Sequence, residues 1–303
     1  MKKIVIAGGT GFLGKVLVEH FKSKAESITV LTRGKTRKIN NIHFVNWDAT
    51  TISNWITVLE NSDVLINMTG KSVDCRYTSK NKALILNSRV ASTSILGQAI
   101  HKCKNPPKLW LNSSTATIYR HSLDKEMNEI NGEIGTGFSV DVAKAWEKAF
   151  FEQPTPKTRK VALRTAIVLG KNGGALPPII NLVKMGLGGK QGKGNQKLSW
   201  IHEIDFTRSI EFIINNIHIQ GYLNIVSPKP TSNLIFMKTL RKVMKKSIGI
   251  PISKNVLEIG AKIIRTETEL VLKSRNVIPT KLTDNGFLFM YSDLESALVS
   301  ITQ

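Results

Sequence analysis

Gly8-Gly9-Thr10-Gly11-Phe12-Leu13-Gly14 follows a short apolar run, Lys3 to Ala7, and opens a helical segment, Phe12 to Ser23. The stretch satisfies Gly-x-x-Gly-x-x-Gly from Gly8 and Gly-x-Gly-x-x-Gly from Gly9. Between a strand and a helix, that spacing has a physical use. An early glycine permits the tight turn, Gly11 lets the backbone approach a pyrophosphate, and Gly14 allows the helix to lie close on the sheet. The amides at the helix start then face the anion. All seven residues, with Thr10, Phe12 and Leu13 between the glycines, are therefore expected to bind a dinucleotide cofactor.

Outward from this turn, short apolar runs alternate with longer helical patterns. The runs are Lys3 to Ala7, Ile28 to Leu31, His43 to Asn46, Val64 to Asn67, Leu109 to Asn112 and Val161 to Arg164, and the helices include Lys80 to His101 and Asp141 to Phe151. Near-continuous apolar strands joined by helical crossovers indicate an α/β protein with a doubly wound parallel sheet, Rossmann-like, of six or seven strands. After Gly170 the chain becomes rich in glycine and lysine, which predicts a loop-rich cap over residues 170–200. Beyond Pro228 it is mainly helical, with helices expected over Asn233 to Lys245, Lys254 to Ile264 and Asp293 to Ile301. The domains predicted are 1–228, the nucleotide-binding part, and 229–303, a small helical lobe for substrate.

The end of the second strand selects the cofactor. An acidic residue about 20 positions past the glycines would bind the ribose 2′-hydroxyl of NAD, whereas an arginine suits a 2′-phosphate. Here the strand runs into Arg33-Gly34-Lys35-Thr36-Arg37-Lys38, with no carboxylate. NADP (NADPH) is expected over NAD. Asp48, past the third run, is placed for the adenine or for a surface turn. Asn67 and Gly70, in Asn67-Met68-Thr69-Gly70, end the fourth run, where a doubly wound sheet receives its ligand.

The chain has 303 residues, 43 Lys+Arg against 22 Asp+Glu, a net charge of +21 and 41% hydrophobic residues. That composition fits a globular protein of one large or two unequal domains. Cys75 and Cys103 are the two cysteines, and no Cys/His pattern has metal-ligand spacing, so no metal is expected. The first seven residues begin like an export signal, but Gly8-Gly9 interrupts them, and no apolar run is long enough to span a membrane. A cytoplasmic location is expected. The charge points to anionic partners, not to a fold.

Taken together, these residues resemble the NAD(P)-dependent epimerase/dehydratase group of the extended short-chain dehydrogenase/reductase superfamily. They look most like an atypical epimerase-like branch, loosely labelled cell-division inhibitors, with a C-terminal domain of unknown function, here about residues 250–299. The matching segments are Arg76-Tyr77-Thr78 with Lys82, Ile85, Ser88 and Arg89; Gly173-Gly174-Ala175-Leu176; and Gly186-Leu187-Gly188-Gly189 with Gly192, Gly194 and Gln196. They continue in Ser199-Trp200-Ile201-His202 with Asp205, in Asn224 with Pro228 and Pro230, and in Ile278 to Phe289.

The resemblance implies a Rossmann-like domain, NADP and a substrate lobe. Active superfamily members use a Tyr-x-x-x-Lys pair, whose lysine lowers the tyrosine pKa for proton transfer. None of the four tyrosines here has a lysine four positions on, and the matching helix carries Phe138 or Ser139 at the tyrosine position. What the resemblance leaves as catalytic candidates are the hydroxyls of Ser114 and Thr115 and the phenol of Tyr119, the last if Arg89 or Lys144 lies close enough to shift its pKa. Arg89, Lys144, Arg164 and His202 are candidates for substrate binding. Arg164 is equally suited to a structural carboxylate and His202 to packing or capping, while Asp205 reads as a helix N-cap. Three functions remain: an NADP-dependent oxidoreductase or epimerase acting on a small anionic substrate, a catalytically idle NADP sensor, and, ranked last, a nucleic-acid binder. The last rests on charge alone, without a binding motif and with only 7% aromatic residues.

Overall fold

A computed structural model describes residues 2–263 and 267–303. The chain runs β1 (Lys3–Ala7), α1 (Phe12–Phe21), β2 (Ser27–Thr32), β3 (Arg37–Ile39), β4 (Ile42–Asn46), β5 (Val64–Asn67), α2 (Ser79–Lys102), β6 (Leu109–Thr115), α3 (Phe138–Phe151) and β7 (Arg159–Thr165). It continues through β8 (Ile167–Gly170), β9 (Gly173–Gly174), α4 (Leu176–Lys184), β10 (Lys197–Leu198), β11 (Trp200–His202), α5 (Glu203–Asn215), β12 (Gly221–Ile225) and β13 (Thr231–Ser232). The C-terminal helices are α6 (Asn233–Val243), α7 (Lys254–Ile263), α8 (Glu269–Leu272), α9 (Thr280–Asp284) and α10 (Leu294–Thr302).

The main sheet has the order β12-β7-β6-β5-β1-β2-β4-β3, and only β3, against β4, is antiparallel. This is the doubly wound α/β sheet. Its strands are apolar on both faces because helices cover both. Ile4 and Ile6 of β1 face a core with Leu17 and Phe21 of α1 and Phe206 and Ile210 of α5. Val5 and Ala7, one residue out of phase, face Leu96 and Ile100 of α2 and Phe150 of α3. Leaving β1, the chain builds β2 and β4 on one side, then returns to β5 on the other. The crevice at the C-terminal ends of β1 and β5 is thus the switch point of the sheet.

The cap and the lobe share one core, in which Leu169, Leu176 and Trp200 pack against Phe236, Leu240, Leu298 and Ile301. The segment expected to be loop-rich contains α4. Glycine density drew attention there, but Pro177 and Pro178 sit at the first helical positions, where a missing N–H costs nothing. The expected helix from Lys254 is present to Ile263, and Ile264 lies outside the described residues. Among the described residues no helix is long and apolar enough to cross a membrane, and no cluster of side chains is built to hold a metal ion.

Candidate functional site

The glycine turn sits at the switch point. Gly8 has φ +75° and its amide donates to Leu31 O at 3.1 Å, so the turn is pinned to β2. A Cβ on Gly14 would lie 2.4 Å from the Gly9 Cα, which is why only glycine lets α1 start this close to β1. A Cβ on Gly11 would meet only Gly8 O, at 3.6 Å, so the outer side of the turn is open. Gly11 is the N-cap and has no side chain to cap with, and the amides of Phe12 and Leu13 have no backbone acceptor among the described residues. These unmet donors at the positive end of a helix suit a pyrophosphate. The cap closes over the turn, since the Phe12 ring lies where a side chain at Gly173 would go, 2.6 Å from its Cβ position.

The flanking strand ends complete the crevice. Arg33 is exposed just past β2, and its guanidinium has no partner among the described residues. Lys35 is likewise exposed, whereas Arg37 stacks on Phe44 at 4.4 Å. Asp48 takes the turn role. Its carboxylate accepts from the Thr50 and Thr51 amides at 2.8 Å each and from the Thr51 hydroxyl at 2.7 Å, and these bonds hold its pKa far down. Asn67 is buried, donates to Asn112 Oδ1 at 2.7 Å and accepts from the Thr69 amide at 3.0 Å, so its side chain shapes the turn after β5 from within. Next to it, Thr69 Oγ1 is buried with no partner among the described residues. That orphaned hydroxyl, beside Gly8, is a further group the crevice holds ready.

Deeper in, at the C-terminal ends of β6 and β7, the catalytic candidates are already engaged. Ser114 Oγ donates to Glu147 Oε1 at 2.6 Å. Glu147, on α3, forms a two-pronged pair with Arg164, Nε to Oε1 and Nη2 to Oε2, both at 2.8 Å. Arg164 Nη1 donates to the Tyr119 phenol at 3.0 Å, and that phenol donates to Asn224 Oδ1 at 3.0 Å. Burial works against the charge on Arg164, but the bonds and charge of Glu147 outweigh it and raise its pKa. Burial raises the Tyr119 pKa, against the pull of Arg164. The cation beside Tyr119 is therefore Arg164, rather than the expected Arg89 or Lys144. Arg164 meets a structural carboxylate, one of the two partners expected for it. Thr115 shares a hydrogen bond with Thr117 Oγ1 at 3.0 Å and accepts from the Thr117 amide, capping the short turn after β6.

Two other candidates separate clearly. Arg89 lies at the mouth, its guanidinium against Gly70 and 5.0 Å over the Trp146 ring. Its Nη1 donates to the carbonyls of Lys71 and Ile85 at 3.0 and 2.9 Å. Lys144 is exposed on α3, without a hydrogen-bond or ion-pair partner among the described residues.

His202 is not at the mouth. It caps α5, with Nδ1 accepting from the Ile204 amide at 3.1 Å, Nε2 facing Ser300 Oγ at 3.0 Å and the ring stacked on Tyr291. An acceptor Nδ1 places the proton on Nε2, so the ring is neutral. Asp205, expected to be the N-cap, instead lies in the first turn of α5. It is fully buried there and accepts from the amides of Met290 and Tyr291, tying the C-terminal segment down.

Burial lowers the His202 pKa to about 4, with Asp205 opposing, against an ordinary 6.5. The unfolded chain therefore takes up the proton first as pH falls. Stability should be full above pH ~6.5 and decline as pH drops toward ~4, by roughly 3 kcal/mol, before levelling off. Urea unfolding at pH 7 and 4.5 checks this. His202→Asn, which keeps a cap, should lose less stability than the unchanged chain between those pH values, and an equal loss would refute the assignment.

Motif reading passed over several residues that shape the site. Glu147 lies in the quoted α3 segment, but nothing marks it as the partner of Arg164, 17 residues on. Arg275 comes just before the quoted Ile278 run. It is 9% exposed, and Nε and Nη1 have no hydrogen-bond partner among the described residues. Phe138 packs edge-on against Tyr77, with centroids 4.9 Å apart, and Ser139 donates to Glu269 at 3.1 Å. No phenol thus replaces the missing tyrosine on α3 itself.

Comparison with known proteins agrees with this architecture. Residues 256–301 match a domain of unknown function, DUF1731. Epimerase family protein SAR0825 of Staphylococcus aureus is 33% identical over 301 residues, covering 98% of each chain. Epimerase family protein YfhF of Bacillus subtilis is 33% identical over 299 residues, covering 97% of this chain and 96% of its own. Among solved structures, human epimerase family protein SDR39U1 with NADPH superimposes with a TM-score of 0.88 at 27% identity, over 99% of this chain and 98% of that one. Residues 4–225, from β1 through β12, match the model of the NAD dependent epimerase/dehydratase family, and the chain belongs to that family.

Proposed function

We propose that the protein binds NADPH in the crevice between β1 and β5 and acts on a small anionic substrate as an oxidoreductase or epimerase. The observation that carries this reading is the open helix N-terminus at Gly11 to Leu13, together with an Arg33 past β2 that has no partner among the described residues and no carboxylate between Arg33 and Lys38. The turn amides would hold the pyrophosphate and Arg33 the 2′-phosphate, and Thr69 Oγ1 is a free donor beside them. The human relative, whose structure contains NADPH, supports the same choice. A bound nicotinamide supplies hydride transfer.

Around that position, Arg89 attracts the anion and the half-buried Thr115 hydroxyl orients a substrate oxygen. Ser114 and Tyr119 hold the floor through Glu147 and Arg164. Their engagement there favours a second reading, an NADP sensor without turnover.

Titration with NADPH and NADH, followed by NADPH oxidation and, with the oxidised cofactor, by epimer formation across a panel of carbonyl and sugar-nucleotide compounds, separates the two. Tighter binding of NADPH with turnover on any compound supports the enzyme. Binding without turnover across the panel favours the sensor, and equal affinity for both cofactors removes the role given to Arg33.

A further inference from the structure

Two guanidinium groups, those of Arg89 and Arg275, have fewer acceptors than donors among the described residues. Arg89 bonds only backbone carbonyls and an aromatic face, and has no carboxylate partner among the described residues. Arg275 is held in place by its backbone, the amide donating to Lys197 O at 2.8 Å and the carbonyl accepting from Ser199 Oγ at 2.9 Å. Its side chain is buried, and Nε and Nη1 meet no acceptor among the described residues. The nearest carboxylate, Glu269, is 3.9 Å from Nη2, too long for a hydrogen bond, and it also serves Lys273 at 3.4 Å and Ser139 at 3.1 Å. Tyr77 interacts electrostatically with both arginines. It also touches Phe138, at the start of α3. Tyr77 thus links the pair to the start of α3, while Arg89 lies against Gly70 in the turn after β5.

Leaving buried N–H donors of a cation unmet is costly. Burial lowers both guanidinium pKa values to about 10, so both stay charged at neutral pH. A fixed cation with free donors is preorganised for an oxyanion that arrives with the ligand.

We infer that Arg275, with Arg89, forms a subsite that takes the carboxylate or phosphate of the substrate. The inference rests on the proposed cofactor reading, in which NADPH fills the crevice and the substrate's anion binds beside it. It adds to that reading a residue from the C-terminal segment, which gives the small lobe a direct part in substrate recognition.

The test is calorimetric titration of the whole protein, saturated with NADPH, with inorganic phosphate, pyrophosphate and malonate. At least one probe should bind saturably. Arg275→Met should weaken it 20-fold or more while leaving the NADPH affinity within twofold. Arg89→Met should also weaken the probe and provides a second readout if Arg275→Met does not fold. Preference for malonate over the phosphates, or the reverse, assigns the oxyanion. If NADPH binds but none of the probes does, or if a bound probe is unaffected by both variants, the subsite is wrong and the cofactor reading stands. Failure of NADPH itself to bind would overturn the cofactor reading first and the subsite with it.

Discussion

Replacing Glu147 by leucine is expected to lower stability by about 3–5 kcal/mol, a large share of the roughly 5–15 kcal/mol that folded domains possess. Glu147 and Arg164 are 5% and 6% exposed, and two hydrogen bonds of 2.8 Å join them. Bringing two ions inside costs much of what their attraction returns, so the pair is not itself a large net gain. Removing one partner is different, because the guanidinium stays buried with no counter-ion and Ser114 loses its acceptor. The double variant Glu147→Leu with Arg164→Met removes both charges and should recover much of the loss. Urea unfolding of the unchanged chain, both single variants and the double variant gives the coupling. A loss below about 1 kcal/mol in Glu147→Leu would refute the role of the pair as the anchor between α3 and β7. Because the pair also holds Tyr119 and Ser114, a stability loss without a change in NADPH affinity would place all four in the floor of the site.

The network shows where sequence reading ends. The parallel sheet was legible because strands buried on both faces have little freedom in composition, and Val64–Asn67 is buried at every position. The glycine turn was legible because Gly14 has no alternative at 2.4 Å from Gly9. Both are local constraints that leave a mark at fixed spacing. The side-chain roles were not local. Arg164 was recognised as important, but whether it met substrate or a structural carboxylate depended on Glu147, 17 positions away and on another element. His202, read either as a substrate contact or as a capping residue, caps α5, and Asp205, read as the N-cap, instead fastens residues 290–291 from the first turn of that helix. Arg275 left no signal, because an arginine among 43 basic residues is distinguished only by being buried without an acceptor. The basic composition hid the few buried cations among many that are solvated.

Arg33→Asp should lower NADPH affinity by on the order of 100-fold and leave NADH within a few-fold, which erases or reverses the preference. A hydrogen bond to a charged group contributes about 1.5–3 kcal/mol, and each 1.4 kcal/mol is tenfold in affinity. Losing that contact and placing a carboxylate near a phosphate should together reach the upper end of the range. The site favours a clean result. Arg33 is exposed and has no partner among the described residues, so the substitution breaks no internal contact, and its stability effect should lie within about 0.5 kcal/mol. Lys35, also exposed, is the neighbouring cation that could retain part of the attraction, whereas Arg37 is stacked on Phe44. Lys35→Ala alone should therefore cost much less than Arg33→Asp, and the two combined should cost more than either. The salt dependence separates contact from general attraction. An arginine directly on the 2′-phosphate should leave a residual NADPH preference at 0.5 M salt, where screening removes most long-range effects between exposed charges. A preference that vanishes at that salt in the unchanged protein would mean that the net charge, and not Arg33, selects the cofactor.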